Sequence, residues 1–198
     1  MNLGATRWVA RRLPARRSIR LKKFDYRQAD AYFVTICAEK RQPLFGEIRF
    51  GIVGFNDTGC VVVEEWLRTA ELRPYVELDA FAVMPNHFHG IIILHGTAAG
   101  DPAGRPYGKS LGSIIGQFKS VVSKRVGRTV WQRNYFGHVI RDERGLTKIR
   151  EYIANNPLTW TLDRENPNRR GSDAFDEWIR SQPAPKRATQ RVAFTNDA

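Results

Sequence analysis

Apolar and polar positions divide the chain into short strands and longer helices. From Ala31, "AYFVTICA" is β-branched and aromatic, which predicts a buried strand. Gly46 and Gly51 bracket "EIRF", a short strand or hairpin. Asn56 and Asp57 are placed to cap a helix whose apolar positions include Val62, Val63, Trp66, Leu67 and Ala70. "YVELDAFAVM" predicts a strand, Pro85-Asn86 a turn, and "HFHGIIIL" the next strand, the two forming a hairpin. Ser110 is placed to cap a helix in which Leu111, Ile114, Ile115, Phe118, Val121, Val122 and Val126 follow three-four spacing. Its other face carries Lys119, Lys124 and Arg125. "VWQRNYFGHVIR" predicts a strand or extended segment, "DERGLTKIREYIANN" a helix stopped by Pro157, and "SDAFDEWIRS" a short docking helix. Strands joined mainly by hairpins, with helices interleaved, predict an α+β fold: a ferredoxin-like or RRM-like antiparallel sheet covered by helices.

The chain has 198 residues, which suits one domain with appendages. The expected division is a basic flexible arm over 1–15, a domain over 16–165, and a short helix with a disordered tail over 166–198. The Gly-, Ala- and Pro-rich stretch 96–109 reads as a mobile loop. Cys37 and Cys60 each sit in an apolar stretch without CxxC spacing and read as small buried hydrophobes in a reducing cytoplasm. No apolar run is long enough for a membrane span, and the start lacks the apolar core of a secretory signal, so a cytoplasmic location is expected.

Charge changes the picture. Lys and Arg number 32 against 20 Asp and Glu, a net charge of +12 with a pI near 10.2. Folding needs no such excess, and nucleic acid is the first partner to consider. Membrane ranks lower, because the basic residues are not arrayed beside an apolar helix face. The charge clusters in two places, residues 1–31 and residues 105–150. Arg17, Arg20, Lys22, Lys23, Lys119 and Lys124 are candidate phosphate contacts. Trp131, Tyr135 and Phe136 interleave with Arg133, a pattern suited to base stacking on single strands. The alternative is that Trp131 and Phe136 are core and Arg133 a solvated charge.

His87 and His89 stand two apart in an apolar run. On a strand they share one face, with Cβ atoms about 6.5–7 Å apart, while Phe88 faces the core. Two imidazoles so placed can converge on one cation, or can each be satisfied by neighbouring polar groups. At 100° per residue, Leu146, Ile149 and Ile153 form an apolar stripe on the "YIANN" helix. Tyr152 and Asn156 fall side by side on its flank, one turn apart. Tyrosine can serve as a covalent nucleophile, and a divalent cation beside it would stabilise charge on a phosphate.

The stretches "RRSIRLKKFDY", "AYFVTICAEKRQPLFGEI", "AFAVMPNHFHGIIIL", "SLGSIIGQFKS", "WQRNYFGHVIRDE" and "YIANNP" occur in order over roughly residues 16–160. Together they resemble the single-tyrosine HUH transposases, most closely the REP-associated tyrosine transposases. The resemblance implies binding of single-stranded DNA with a short hairpin. It implies metal ligands at His87, His89 and Asn156, with Mg2+ or Mn2+ as the cofactor. Tyr152 becomes the nucleophile, forming a 5′-phosphotyrosine and releasing a 3′-hydroxyl. Relatives include swapped dimers and monomers, and a monomer is the expectation here. A neutral His-His-Asn set is a modest magnesium binder, and imidazole tilts it towards manganese. Tyr135 is a rival nucleophile on sequence alone, though with no ligand one helical turn away. The alternative to an enzyme is a non-catalytic module of the same fold that grips single-stranded DNA or RNA.

Overall fold

The computed structural model describes residues 30–95 and 110–182. The basic arm with Arg17, Arg20, Lys22 and Lys23, the stretch 96–109 and the tail from 183 lie outside the described residues. Strands β1 (Asp30–Cys37), β4 (Val76–Val83), β5 (His87–Leu94) and β6 (Phe136–Ile140) form one antiparallel sheet in the order β4-β5-β1-β6. β2 (Gly46–Arg49) and β3 (Ile52–Phe55) make a separate hairpin. The helices are α1 (Asp57–Glu71), α2 (Leu111–Val126), α3 (Glu143–Asn155) and α4 (Ala174–Ser181). Setting the small hairpin aside, the order β-α-β-β-α-β and this strand arrangement are those of a ferredoxin-like sandwich.

Helices cover both faces of the sheet. On one face, Val62 and Trp66 of α1 and Ile114, Ile115, Phe118 and Val122 of α2 pack on Val34, Ile36, Phe88 and Ile92. On the other, Leu146, Ile149 and Ile153 of α3 and Phe175 and Ile179 of α4 pack on Phe33, Ile91, Ile93 and Ile140. With both faces buried, β5 is inaccessible along its whole length, which explains its nearly unbroken apolar run. Gly90 is required where it stands. A Cβ there would meet Trp66 and Phe88 ring carbons at 2.8 Å.

The predicted caps at Asn56 and Ser110 form, and Asp142 caps α3 in the same way. Asn56, Ser110 and Asp142 each accept a hydrogen bond from the backbone N–H three residues on. α2 stops at Gly127, whose φ of 77° is left-handed. The segment read as "VWQRNYFGHVIR" becomes strand only from Phe136. Before that, Trp131 makes an isolated bridge to Ala38, and the Lys119 ammonium donates to the carbonyls of Gln132, Arg133 and Asn134.

Candidate active site

The sheet face beneath α3 and α4 carries the polar centre. Strand alternation points Phe88 towards α1 and α2, and His87 and His89 towards α3. Both histidines are buried, at 0% and 3% exposure. Their Nε2 atoms approach to 2.9 Å. The outer ring nitrogens are occupied: His87 Nδ1 meets Asn86 Oδ1 and His89 Nδ1 meets Thr35 Oγ1, each at 2.9 Å. Trp160 lies over the His87 ring and Phe33 over the His89 ring.

α3 brings Tyr152 and Asn156 to the same point. The Leu146–Ile149–Ile153 stripe seats the helix, and Tyr152 Oη lies 3.2 Å from His89 Nε2. The Tyr152 hydroxyl also donates to Asp163 Oδ2 at 3.2 Å. Asn156 is fully buried, and its Nδ2 donates to the same carboxylate oxygen at 2.5 Å. Its Oδ1 is buried without a hydrogen-bond partner.

Asp163 is the residue that sequence reasoning missed. It follows the 3-10 turn Trp160–Leu162, and its Oδ1 accepts the Glu165 backbone N–H at 2.6 Å. Its Oδ2 stands 3.7 Å from His87 Nε2 and 3.9 Å from His89 Nε2. The two ring nitrogens and the carboxylate oxygen lie within 4.8 Å of one another. No periodic pattern marks Asp163. The usable signal was an acidic residue, "TLDREN", shortly after the Tyr-Asn helix.

The electrostatics follow from burial. Desolvation and the neighbouring His89 push the His87 pKa down to about 3, so its ring is neutral at ordinary pH. Burial works to raise the Asp163 pKa. The histidine rings and the Asn156 amide outweigh it, and the group stays well below the usual carboxylate range. Tyr152 is pushed far above the ordinary phenol value, first by burial and then by the charges of Asp163, Asp176 and Asp173. Its ring stacks on Phe175 of α4 at 3.7 Å between centroids and 7° between planes. Around Tyr152, His89, Arg164 and Asp176 only a small cavity of about 20 Å³ remains.

The other sequence-predicted residues divide. Tyr135 belongs to the opposite core, packed with the α1 and α2 side, so the structure keeps it away from the histidines. Trp131 is 4% exposed and packed between Phe45 and Phe118, which corrects its assignment as a base-stacking residue. Lys119 spends its ammonium on three backbone carbonyls, so it serves the fold rather than an exposed phosphate contact. Lys124 and Arg133 are exposed.

The site therefore pairs a buried His-His-Asp group that could hold a metal ion with a tyrosine hydroxyl beside it. Residues 26–156 match the family model of the IS200-like transposases, and the chain belongs to that family. The match includes His87, His89, Tyr152 and Asn156 but ends before Asp163. An uncharacterized protein of Haemophilus influenzae is 38% identical over 164 residues, covering 75% of this chain and 91% of that one. A solved REP-associated tyrosine transposase bound to a REP hairpin aligns at 21% identity and TM-score 0.49, over 65% of this chain and 67% of its own. A candidate transposase from Deinococcus radiodurans aligns at 15% identity and TM-score 0.40, over 63% and 88% respectively.

Proposed function

We propose that this transposase is a metal-dependent nickase and strand transferase for single-stranded DNA, of the single-tyrosine HUH kind, acting at hairpin-containing repeats. The carrying observation is that Tyr152 Oη touches both His89 and Asp163, at 3.2 Å each. A packing tyrosine has no need of that contact.

His87, His89 and Asp163 would hold the divalent cation. The donor set fits: two imidazole nitrogens and a carboxylate leave positions open, and the ligand atoms already converge. The unpaired Asn156 Oδ1 is a further buried oxygen that gains from a cation nearby. Compared with a neutral His-His-Asn set, the carboxylate adds charge and hardness, which favours Mg2+ or Mn2+. A bound cation would offset the Asp163 charge and polarise the scissile phosphate.

The chain's own residues do the rest. Asp163 Oδ2 accepts the phenol proton's hydrogen bond and aims Oη. Oη gives its proton to water as it attacks phosphorus, the P–O3′ bond breaks, and the 3′ oxygen takes a proton from water and leaves as a hydroxyl. The 5′ end stays on Tyr152, and attack by a 3′-hydroxyl reverses the step. Because burial and three carboxylates hold the phenol protonated, the nucleophile is latent until that charge is offset. Phe175 and Asp176 line the small cavity beside Tyr152, so a shift of either would widen the approach of a phosphodiester to Oη. The excess of Lys and Arg, +12 over the whole chain, would supply the contacts to the DNA backbone. No helix among the described residues is long and apolar enough to cross a membrane. We place the protein in the cytoplasm with its DNA, as a monomer.

Incubation of labelled single-stranded hairpin DNA with the protein tests this reading. Nicking with Mn2+ or Mg2+ and none with chelator is expected. Tight binding without nicking under every metal condition would instead identify a non-catalytic binding module.

A further inference from the structure

Asn86, in the turn before β5, is 1% exposed and fully engaged. Its Nδ2 donates to the backbone carbonyls of Glu165 at 2.6 Å and Arg41 at 3.3 Å. Both partners are carbonyl oxygens and can only accept, so the amide cannot turn over. Its Oδ1 must then face His87 Nδ1, as found at 2.9 Å. An amide oxygen is an acceptor, so His87 Nδ1 must carry the proton. The Nε2 lone pair of His87 is thereby aimed inward at His89 Nε2.

His89 is held differently. Its Nδ1 faces Thr35 Oγ1 at 2.9 Å, and a hydroxyl can donate or accept. With His87 Nε2 bare, the 2.9 Å contact between the two Nε2 atoms is a hydrogen bond only if His89 carries its proton on Nε2. Two inward lone pairs at that distance would repel unless a cation lay between them.

We propose that Asn86 is a positioning residue that locks His87 in the Nδ1–H tautomer, while Thr35 leaves His89 free to exchange tautomers when a cation binds. On binding, His89 loses the proton on Nε2 and carries one on Nδ1, so its charge is unchanged. The Thr35 hydroxyl turns from donor to acceptor. Through the Glu165 carbonyl, Asn86 also ties the His87 tautomer to the segment that carries Asp163. The exchange half rests on the metal reading above; the lock does not.

Nitrogen-15 imidazole spectra of the full chain at pH 8 test it. Without metal, His87 should show a protonated Nδ1 and His89 a protonated Nε2. Added Zn2+, a diamagnetic probe, should convert His89 and leave the His87 tautomer as it was. Asn86→Ala should release the His87 tautomer and weaken Zn2+ binding about 10–100-fold, the usual effect of losing an outer-shell partner. Asn86→Asp keeps an acceptor for Nδ1–H and should keep the tautomer, although it loses both grips on the carbonyls. A metal-free wild type with the proton on His87 Nε2 would overturn the lock, as would an unchanged His87 tautomer in Asn86→Ala. Zn2+ that leaves both rings unaltered would overturn the exchange and the metal reading, while the metal-free spectra still decide the lock.

Discussion

Replacing Asp163 with Asn removes one charge and almost no volume, and two of its effects oppose each other. The carboxylate lies within 4 Å of both histidine Nε2 atoms. At about 4 Å and an effective dielectric near 20, a unit charge pair is worth about 4 kcal/mol. Half of that, about 2 kcal/mol, is already about 30-fold in a dissociation constant. Mn2+ binding should therefore weaken by at least about 30-fold. The same charge holds the Tyr152 phenol protonated, so its loss makes the phenol more acidic. If phenol acidity controlled the reaction, the variant would nick faster. If the cation site controls it, nicking should fall and excess Mn2+ should partly restore it. The new amide also sets a donor against either Asn156 Nδ2 or the Glu165 N–H, at a cost of about 1–3 kcal/mol in stability. Calorimetric Mn2+ titration beside a nicking assay separates these effects. Unchanged Mn2+ affinity in Asp163→Asn would refute the ligand assignment.

Other outcomes follow from the same geometry. Hairpin affinity should fall steeply between low and moderate salt, and neutralising Arg17, Arg20, Lys22 and Lys23 should flatten that slope more than deleting residues 1–15; fluorescence anisotropy across a salt series reads both. The metal-free protein should lose stability in mild acid. His87 and His138 are lowered to about 3 and about 4, below the unfolded value near 6.5, so the unfolded chain takes up protons first as pH falls through that window. A melting temperature independent of pH between 7 and 4.5 would contradict this. Phe175→Ala should cost about 3–5 kcal/mol in denaturant unfolding. It should leave or raise adduct formation per folded molecule, because it uncovers the Tyr152 ring.

The layered fold was legible because its signals are periodic or positional. The "AYFVTICA" and "HFHGIIIL" runs are β1 and β5, and the capped helices begin where Asn56, Ser110 and Asp142 stand. His87 and His89 share a face as strand parity requires, Tyr152 meets His89, and Tyr152 and Asn156, one helical turn apart, share Asp163. What was not legible came from contacts without period. Asp163 arrives through a 3-10 turn, where no spacing rule says which way a side chain points. Trp131 stands beside Arg133 and Tyr135 like part of a stacking surface, and Lys119 stands on the basic face of α2 like a phosphate contact. Their true roles follow from an isolated bridge between Ala38 and Trp131 and from three carbonyls that converge on one ammonium.

The central claim is that Tyr152 is the nucleophile, and a denaturing gel with peptide mapping tests it most directly. Labelled single-stranded hairpin DNA and Mn2+ should give the wild-type protein a covalent adduct whose phosphate maps to Tyr152. Tyr152→Phe keeps the stack on Phe175 and loses only the hydroxyl, so it should fold, bind the hairpin and form no adduct. Tyr135→Phe should still form it. An adduct on the Tyr152→Phe protein, or a phosphate mapped to Tyr135, would contradict the account.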